Sequence, residues 1–224
     1  MGLSKIDPNV DFAYIMTPEG MVKRKVDESP TPDKVAERLE KAGVTKRYEH
    51  ASFSVMKELP EAKTAVKVAQ EWAESPLTDR GFFFVGTPGV GKTFLAVAAL
   101  RAKIEQGLLN ARFINVPLFL DELRSSFKFS DDSVQAEFQF LCSRASVVVL
   151  DDFGKERATD WATERLYVLV ESRYSAMLPT IVTSNRTLDE LNDLGYGATV
   201  SRLTEMGPVV KVGGSDLRPK IGRA

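Results

Sequence analysis

The chain has 224 residues, 43% of them hydrophobic, and its 30 Lys and Arg nearly balance its 31 Asp and Glu for a formal net charge of -1. This is the make-up of one sizeable globular core with an appendage, and it excludes a protein drawn to nucleic acid or membrane by its overall field. A single cysteine, Cys142, and a single histidine, His50, exclude an internal disulfide and a zinc cluster and fit a reducing compartment.

Residues 1–45 differ in character from the rest. Val10, Phe12, Tyr14, Ile15 and Met16 form a small apolar island, Thr17-Pro18-Glu19-Gly20 follows, and 23–33 is charged and punctuated by proline. Such a segment cannot build a core alone, so it reads as a flexible tail or as a segment that docks on a partner with the island as its anchor. Within it, 33–42 is predicted as a short charged helix stopped by Gly43. No run reaches the roughly 18 to 20 apolar residues that span a bilayer, and the N-terminus carries no apolar stretch with a cleavage site, so the expectation is a cytoplasmic protein with no membrane partner.

The globular domain is expected over 46–224. Ala62, Ala65, Val66, Ala69 and Trp72 recur on one side of a helix over 61–74. Phe82-Phe83-Phe84-Val85 is a strand-like run, and Gly86-Thr87-Pro88-Gly89-Val90-Gly91-Lys92-Thr93 comes directly after it. A helix over 92–106 follows, with the small face of Leu95, Ala98, Ala99 and Ala102 suited to lying close on a sheet, and Gly107 stops it. The next strand is 112–116. Pro117 opens a helix in which Leu120, Leu123 and Phe127 are spaced for burial, and Val134, Phe138 and Leu141 mark another. Val147 to Leu150 is a continuous apolar run, the pattern of a strand buried on both faces, and it ends in Asp151-Asp152. A helix over 160–176, a strand over 179–183 ending in Ser184-Asn185, a short helix over 198–206 and a last strand over 208–212 complete the chain. Strands that alternate with helices through short connections predict an α/β fold, a parallel five-stranded sheet flanked by helices. Ligands in such sheets bind where strands end, a rule that gathers the glycine-rich stretch, Asp151, Asp152 and Asn185 at one rim.

The stretch from Gly86 to Thr93 fits GxxxxGK[ST] and has the strand before it and the helix after it that a phosphate-binding loop needs. Gly86, Thr87, Pro88, Gly89, Val90 and Gly91 would form a tight loop, its glycines letting the backbone N–H groups of the residues other than Pro88 face inward around a polyphosphate, with the helix N-terminus adding its positive end. Lys92 would reach the β and γ phosphates, and Thr93 would place its hydroxyl on a magnesium ion. Hydrolysis further needs a metal-holding acid and a group that places water. Asp151 is suited to hold magnesium through its water shell, and Asp152 to orient and deprotonate the attacking water, although either could instead cap the turn that follows.

The string Val147 to Gly154, the wording Gly-Thr-Pro-Gly-Val-Gly-Lys-Thr, Thr183-Ser184-Asn185 after a strand and Ser201-Arg202-Leu203 before the last strand together resemble the DnaC and DnaI helicase loaders and the related IstB ATPases. The resemblance spans roughly Tyr48 to the C-terminus. It implies a P-loop NTPase of AAA+ type without a C-terminal helical lid, since 213–224 is too short to form one. It implies ATP with Mg2+, self-association with ATP, a replicative hexameric helicase and single-stranded DNA. Under it, Asn185 matches the sensor 1 residue, Arg202 an arginine finger that acts on a neighbour's γ-phosphate, and Arg218 a second arginine near the end of these loaders. From spacing alone, Arg202 reads as a helix arginine paired with Glu205, and Asn185 as a turn former. Arg124, Phe127, Lys128 and Phe129 combine charge with aromatic faces, as single strands require, although the spacing of Phe127 sends it to the core. The readings carried forward are an ATP-driven helicase loader, an IstB-type accessory ATPase of transposition, a P-loop kinase that would not need Arg202, and a nucleotide-gated scaffold with little hydrolysis.

Overall fold

A computed structural model describes residues 12–17, 20–25, 30–56, 60–77, 80–129 and 131–217. The elements run β1 (Phe12–Thr17), β2 (Gly20–Lys25), α1 (Pro32–Lys41), α2 (Phe53–Met56), α3 (Lys63–Glu74), β3 (Phe82–Val85), α4 (Lys92–Glu105), β4 (Arg112–Asn115), α5 (Val116–Phe129), α6 (Asp132–Ser143), β5 (Val148–Asp151), α7 (Asp160–Ser175), β6 (Thr180–Ser184), α8 (Leu188–Leu191), α9 (Gly197–Met206) and β7 (Val209–Lys211).

Strands β3 to β7 form one parallel sheet in the order β4-β5-β6-β3-β7. The central strands β5 and β6 are buried along their whole length, which is why β5 reads as an apolar run up to Asp151 and β6 carries only small polar residues, Thr180, Thr183 and Ser184, around Ile181 and Val182. Register sets Val85 beside Ser184 and Asn115 beside Asp151, so the ends of four strands come level at one rim.

Each face of the sheet carries its own core. On one side α1, α3 and α4 bury Leu39, Ala69, Leu95 and Ala99 against Phe82, Phe84 and Val149. On the other, α5, α6, α7 and α9 bury Leu123, Leu141, Leu169 and Leu203 against Phe83, Val148 and Val182. Cys142 belongs to the second core, and burial pushes its thiol pKa up.

Two features depart from the sequence reading. Phe12, Tyr14, Ile15 and Met16 of the apolar island lie on β1, which pairs antiparallel with β2, Phe12 opposite Lys25 and Thr17 opposite Gly20, while Val10 lies outside the described residues. The helix assigned with the N-terminal segment packs into the globular unit instead. Val35, Leu39, Ala42 and Val44 are buried in the first core, beneath a polar outer face that dominates the composition. At the end of α1, the Phe113 amide donates to the Ala42 carbonyl at 2.6 Å, and Gly43 packs against the Phe113 carbonyl, so the outward edge of β4 is covered by its own chain.

Arg173, wholly buried on α7, braces the sheet beneath the rim. It donates to Leu141 O at 2.7 Å, Ala145 O at 3.0 Å, Pro179 O at 2.8 Å and Thr180 Oγ1 at 2.9 Å. One guanidinium thereby ties the end of α6 to the entry of β6, the strand that delivers Asn185.

Candidate functional site

The loop between β3 and α4 can turn as it does only because of its glycines. Gly89 has φ of 87°, and a Cβ there would stand 2.2 Å from Asp216 Oδ1; Gly91 has φ of 95°, and a Cβ there would stand 2.5 Å from Met56 Cε. Gly91 is also the N-cap of α4, so the first free N–H groups of a 14-residue helix open onto the loop. The Leu217 amide donates to Gly89 O at 2.9 Å, which lays the chain after β7 along the loop.

Lys92 is buried at the head of α4 and donates to Gly86 O at 2.7 Å, Thr87 O at 2.8 Å and Asn185 Oδ1 at 2.8 Å. An ammonium only donates, so the amide oxygen of Asn185 faces it. The amide nitrogen then donates to Asp152 Oδ1 at 3.2 Å, and Lys155 holds the other oxygen of that carboxylate at 2.8 Å. Asp152 has φ of 59°, a left-handed conformation that aspartate tolerates better than most residues. Its own amide donates to Thr183 Oγ1 at 3.2 Å. A continuous hydrogen-bonded row therefore runs from Lys92 through Asn185 and Asp152 to Lys155.

Beside it lies a second cluster. Thr93 Oγ1 and Thr183 Oγ1 each donate to Asp151 Oδ1 at 2.7 Å. Burial pushes the Asp151 pKa up, the two threonine hydroxyls pull it down, and the nearby Asp152 adds to the rise. The Tyr48 hydroxyl reaches Thr93, and its pKa is raised by burial first and then by the Asp151 charge. Asp151 and Thr93 are the side chains that could hold a divalent cation. Among the described residues no cluster of three or more His, Cys, Asp or Glu forms a metal site, so the remaining ligands would have to come from phosphate and water, as magnesium prefers.

Of the residues predicted from sequence, Lys92, Thr93, Asp151, Asp152 and Asn185 meet at this rim. Arg202 stands apart on α9. Its guanidinium bonds Glu171 and the Tyr167 hydroxyl on α7, so the pairing with Glu205 expected from spacing does not form; Glu205 instead interacts with the Tyr174 hydroxyl. Arg218 lies outside the described residues. Phe127, expected in the core, is 52% exposed and meets Trp161 edge to face at 6.4 Å, because this turn of α5 faces the start of α7. Arg124 lies over the same indole at 4.8 Å and donates to Thr159 Oγ1 at 3.2 Å. The side chains of Lys128 and Phe129 fall outside what is described. Sequence reasoning missed Thr183 and Lys155; Thr183 was in view as part of a motif, but nothing local marks it as the partner of both aspartates.

A family model described as IstB-like ATP binding protein matches residues 33–223. The uncharacterized protein YqaM of Bacillus subtilis (strain 168) is 25% identical over 186 residues, 77% of this chain and 58% of YqaM. The replicative helicase loader DnaC of Escherichia coli (strain K12) is 23% identical over 163 residues, 72% of this chain and 66% of DnaC. These matches therefore span less than two thirds of either relative. The ATP-binding protein Rv3427c of an insertion sequence in Mycobacterium tuberculosis (strain ATCC 25618 / H37Rv) is 26% identical over 204 residues, 84% of this chain and 78% of that protein. A crystal structure of the DnaC helicase loader superposes with a TM-score of 0.66 at 27% identity, covering 75% of this chain and 100% of that one. Among the described residues no helix is long and apolar enough to cross a membrane.

Proposed function

The chain belongs to the IstB-like ATP-binding protein family, a group of AAA+ P-loop ATPases, and from that premise we propose that it is an ATP-driven loader of a replicative hexameric helicase onto single-stranded DNA. The row Lys92–Asn185–Asp152 beside the Thr93–Asp151 pair carries the catalytic half of this reading. Loop amides and Lys92 receive the phosphates of ATP. Asp152 takes the proton of the attacking water, and Asn185, bonded to both Lys92 and Asp152, registers the γ-phosphate and places that water. Thr93 and Asp151 hold magnesium, which when bound neutralises charge on the phosphate oxygens. Burial disfavours a lone negative charge on Asp151, so its pocket suits a counter-cation. Arg202, by analogy with the family motif, acts on ATP bound by a neighbouring subunit, and Arg218 is assigned to nucleotide binding.

The loading half draws on two observations. The relatives include a protein named as a replicative helicase loader. Exposed Arg124 and Phe127 meet over the part-buried Trp161 in a cationic and aromatic cluster that suits phosphate pairing and base stacking. Trp161 begins the helix after the loop that carries Asp152, which ties this surface to the ATP site. The segment before α1, with its hairpin, is assigned to the helicase, and 32–217 to the ATPase domain.

A second reading, an accessory ATPase of DNA transposition, is favoured by the insertion-sequence protein, which matches more of this chain than DnaC does. One capture experiment separates them. Purified protein with ATP and magnesium is offered a purified hexameric helicase and, separately, an insertion-sequence transposase. Retention of the helicase together with ATP-dependent binding of single-stranded DNA is the expected result. Capture of the transposase alone would sink the loader reading, and failure to hydrolyse ATP at all would remove both.

A further inference from the structure

Arg202 on α9 lies flat against α7, and its donors can be accounted for one by one. A guanidinium carries five N–H groups in a single plane, one on Nε and two on each terminal nitrogen. Nε donates to the Glu171 carboxylate, Nη1 to Ala198 O at 3.0 Å and Nη2 to the Tyr167 hydroxyl at 3.1 Å. The Tyr167 ring also packs against the guanidinium, 4.9 Å from ring centre to Cζ. Three donors are thus engaged by three different acceptors. One N–H on each terminal nitrogen has no partner among the described residues, and the side chain is 27% exposed. Two such N–H groups, one on each terminal nitrogen, are a forked pair of donors available to phosphate oxygens.

We infer that Glu171 and Tyr167 are positioning residues which, with the Ala198 carbonyl, fix the plane of the Arg202 guanidinium and leave its terminal fork for a phosphate held by a second copy of the chain. This rests on the reading of Arg202 as a residue that acts on a neighbour's ATP. A plain surface ion pair needs only Glu171. Here a carboxylate, a hydroxyl, a helix carbonyl and an aromatic face converge on one side chain, and they come from two helices packed together in the second core. The Glu171 carboxylate stays ionised over a wider range because of its bond to Arg202, and the guanidinium holds its proton more firmly for the same reason. An arginine held in this way loses less side-chain freedom on meeting its target than one that hangs in solvent.

The test uses full-length Glu171→Ala, Glu171→Gln, Tyr167→Phe and Arg202→Ala, with thermal midpoints as the check on folding. At saturating ATP, Glu171→Ala should lower kcat about 10-fold with KM for ATP unchanged, because each subunit's own loop still binds nucleotide. Tyr167→Phe keeps the ring and should lose about 3-fold; Glu171→Gln keeps an acceptor for Nε and should fall between wild type and Glu171→Ala. Subunit mixing gives a readout that a structural defect would not move. Glu171→Ala mixed with Lys92→Ala should regain turnover, since the Lys92→Ala subunit supplies a well-held arginine, whereas Glu171→Ala mixed with Arg202→Ala should not. Wild-type kcat in both Glu171 variants, while Arg202→Ala is impaired, overturns the positioning role and leaves the reading of Arg202 intact. Wild-type turnover in Arg202→Ala overturns both. Should Glu171→Ala prove unfolded, Glu171→Gln and Tyr167→Phe decide.

Discussion

The Lys92 ammonium donates to the side-chain oxygen of Asn185 at 2.8 Å, joining the residues that follow two adjacent parallel strands, β3 and β6. The same amide then donates to Asp152, so one short side chain touches both the loop lysine and the candidate base.

Asn185→Ala should therefore separate binding from turnover. Lys92 keeps the Gly86 and Thr87 carbonyls, so ATP affinity should change by less than about 3-fold, while kcat should fall about 100-fold. Asn185→Asp should be no better, because it sets a carboxylate against Asp152. Equilibrium binding of a non-hydrolysable ATP analogue beside steady-state hydrolysis makes the comparison. A parallel loss of affinity and turnover would show that the amide only supports the loop.

The proposed role of Asp152 as a base and its left-handed backbone position can be pulled apart by different substitutions. Asparagine tolerates φ of 59° but is no base, so Asp152→Asn should keep its fold and lose about 100-fold or more in kcat. Asp152→Val should in addition lose about 1–2 kcal/mol of stability, because a β-branched residue is strained in that backbone conformation. Chemical denaturation of the two variants checks the difference.

Lys103 gives the fold a pH dependence at alkaline pH. It is buried between α3 and α4, bonded to the Ser75 carbonyl with its ammonium 5.5 Å from the Trp72 ring centre, and burial pushes its pKa from 10.5 down to about 8. Between those values the unfolded chain binds more protons at this site than the folded one. Its contribution to stability is thus full above about pH 10.5 and is lost as pH falls toward 8. The difference in unfolding free energy between wild type and Lys103→Met, followed from pH 7.5 to 10.5, should change by about 1–3 kcal/mol in favour of wild type at the alkaline end. A flat difference would mean that the ammonium is well solvated in the folded state.

The aromatic cluster at the start of α7 should report on single strands. Phe127→Ala should weaken binding of an oligonucleotide by about 1–3 kcal/mol, the range for one stacked base. Arg124→Ala should lower the salt dependence of binding by about one ion. Fluorescence anisotropy at several salt concentrations measures both. Unchanged affinity in the two variants would move the DNA path elsewhere on the molecule.

Much of this architecture is legible in the sequence because its strands are extreme. Phe82 to Val85 and Val147 to Leu150 are apolar runs of the length and kind that doubly covered strands need, Thr180 to Thr183 is a β-branched run after Pro179, and each leads into the residues that make the rim. What escaped depends on contacts distant in the chain. Glu171 is 31 positions from Arg202, so helix spacing pointed to Glu205 instead. Thr183 serves Asp151 and Asp152 only once β6 lies beside β5. Phe127 keeps a core-like interval from Leu120 and Leu123 yet falls on the turn of α5 that meets Trp161 at the surface. In α1 and at its C-cap, three buried aliphatic side chains, Val35, Leu39 and Ala42, are outnumbered by the charged residues around them.

The cover that Ala42 and Gly43 lay over Phe113 bears on how copies of this chain could come together. A naked outer strand invites another strand to zip onto it, and such growth has no natural end. Here one backbone donor on that flank, the Phe113 amide, is already taken by Ala42, which discourages strand-by-strand stacking at that point. On the β4 side, contact between copies is thereby turned toward side chains on helices and loops.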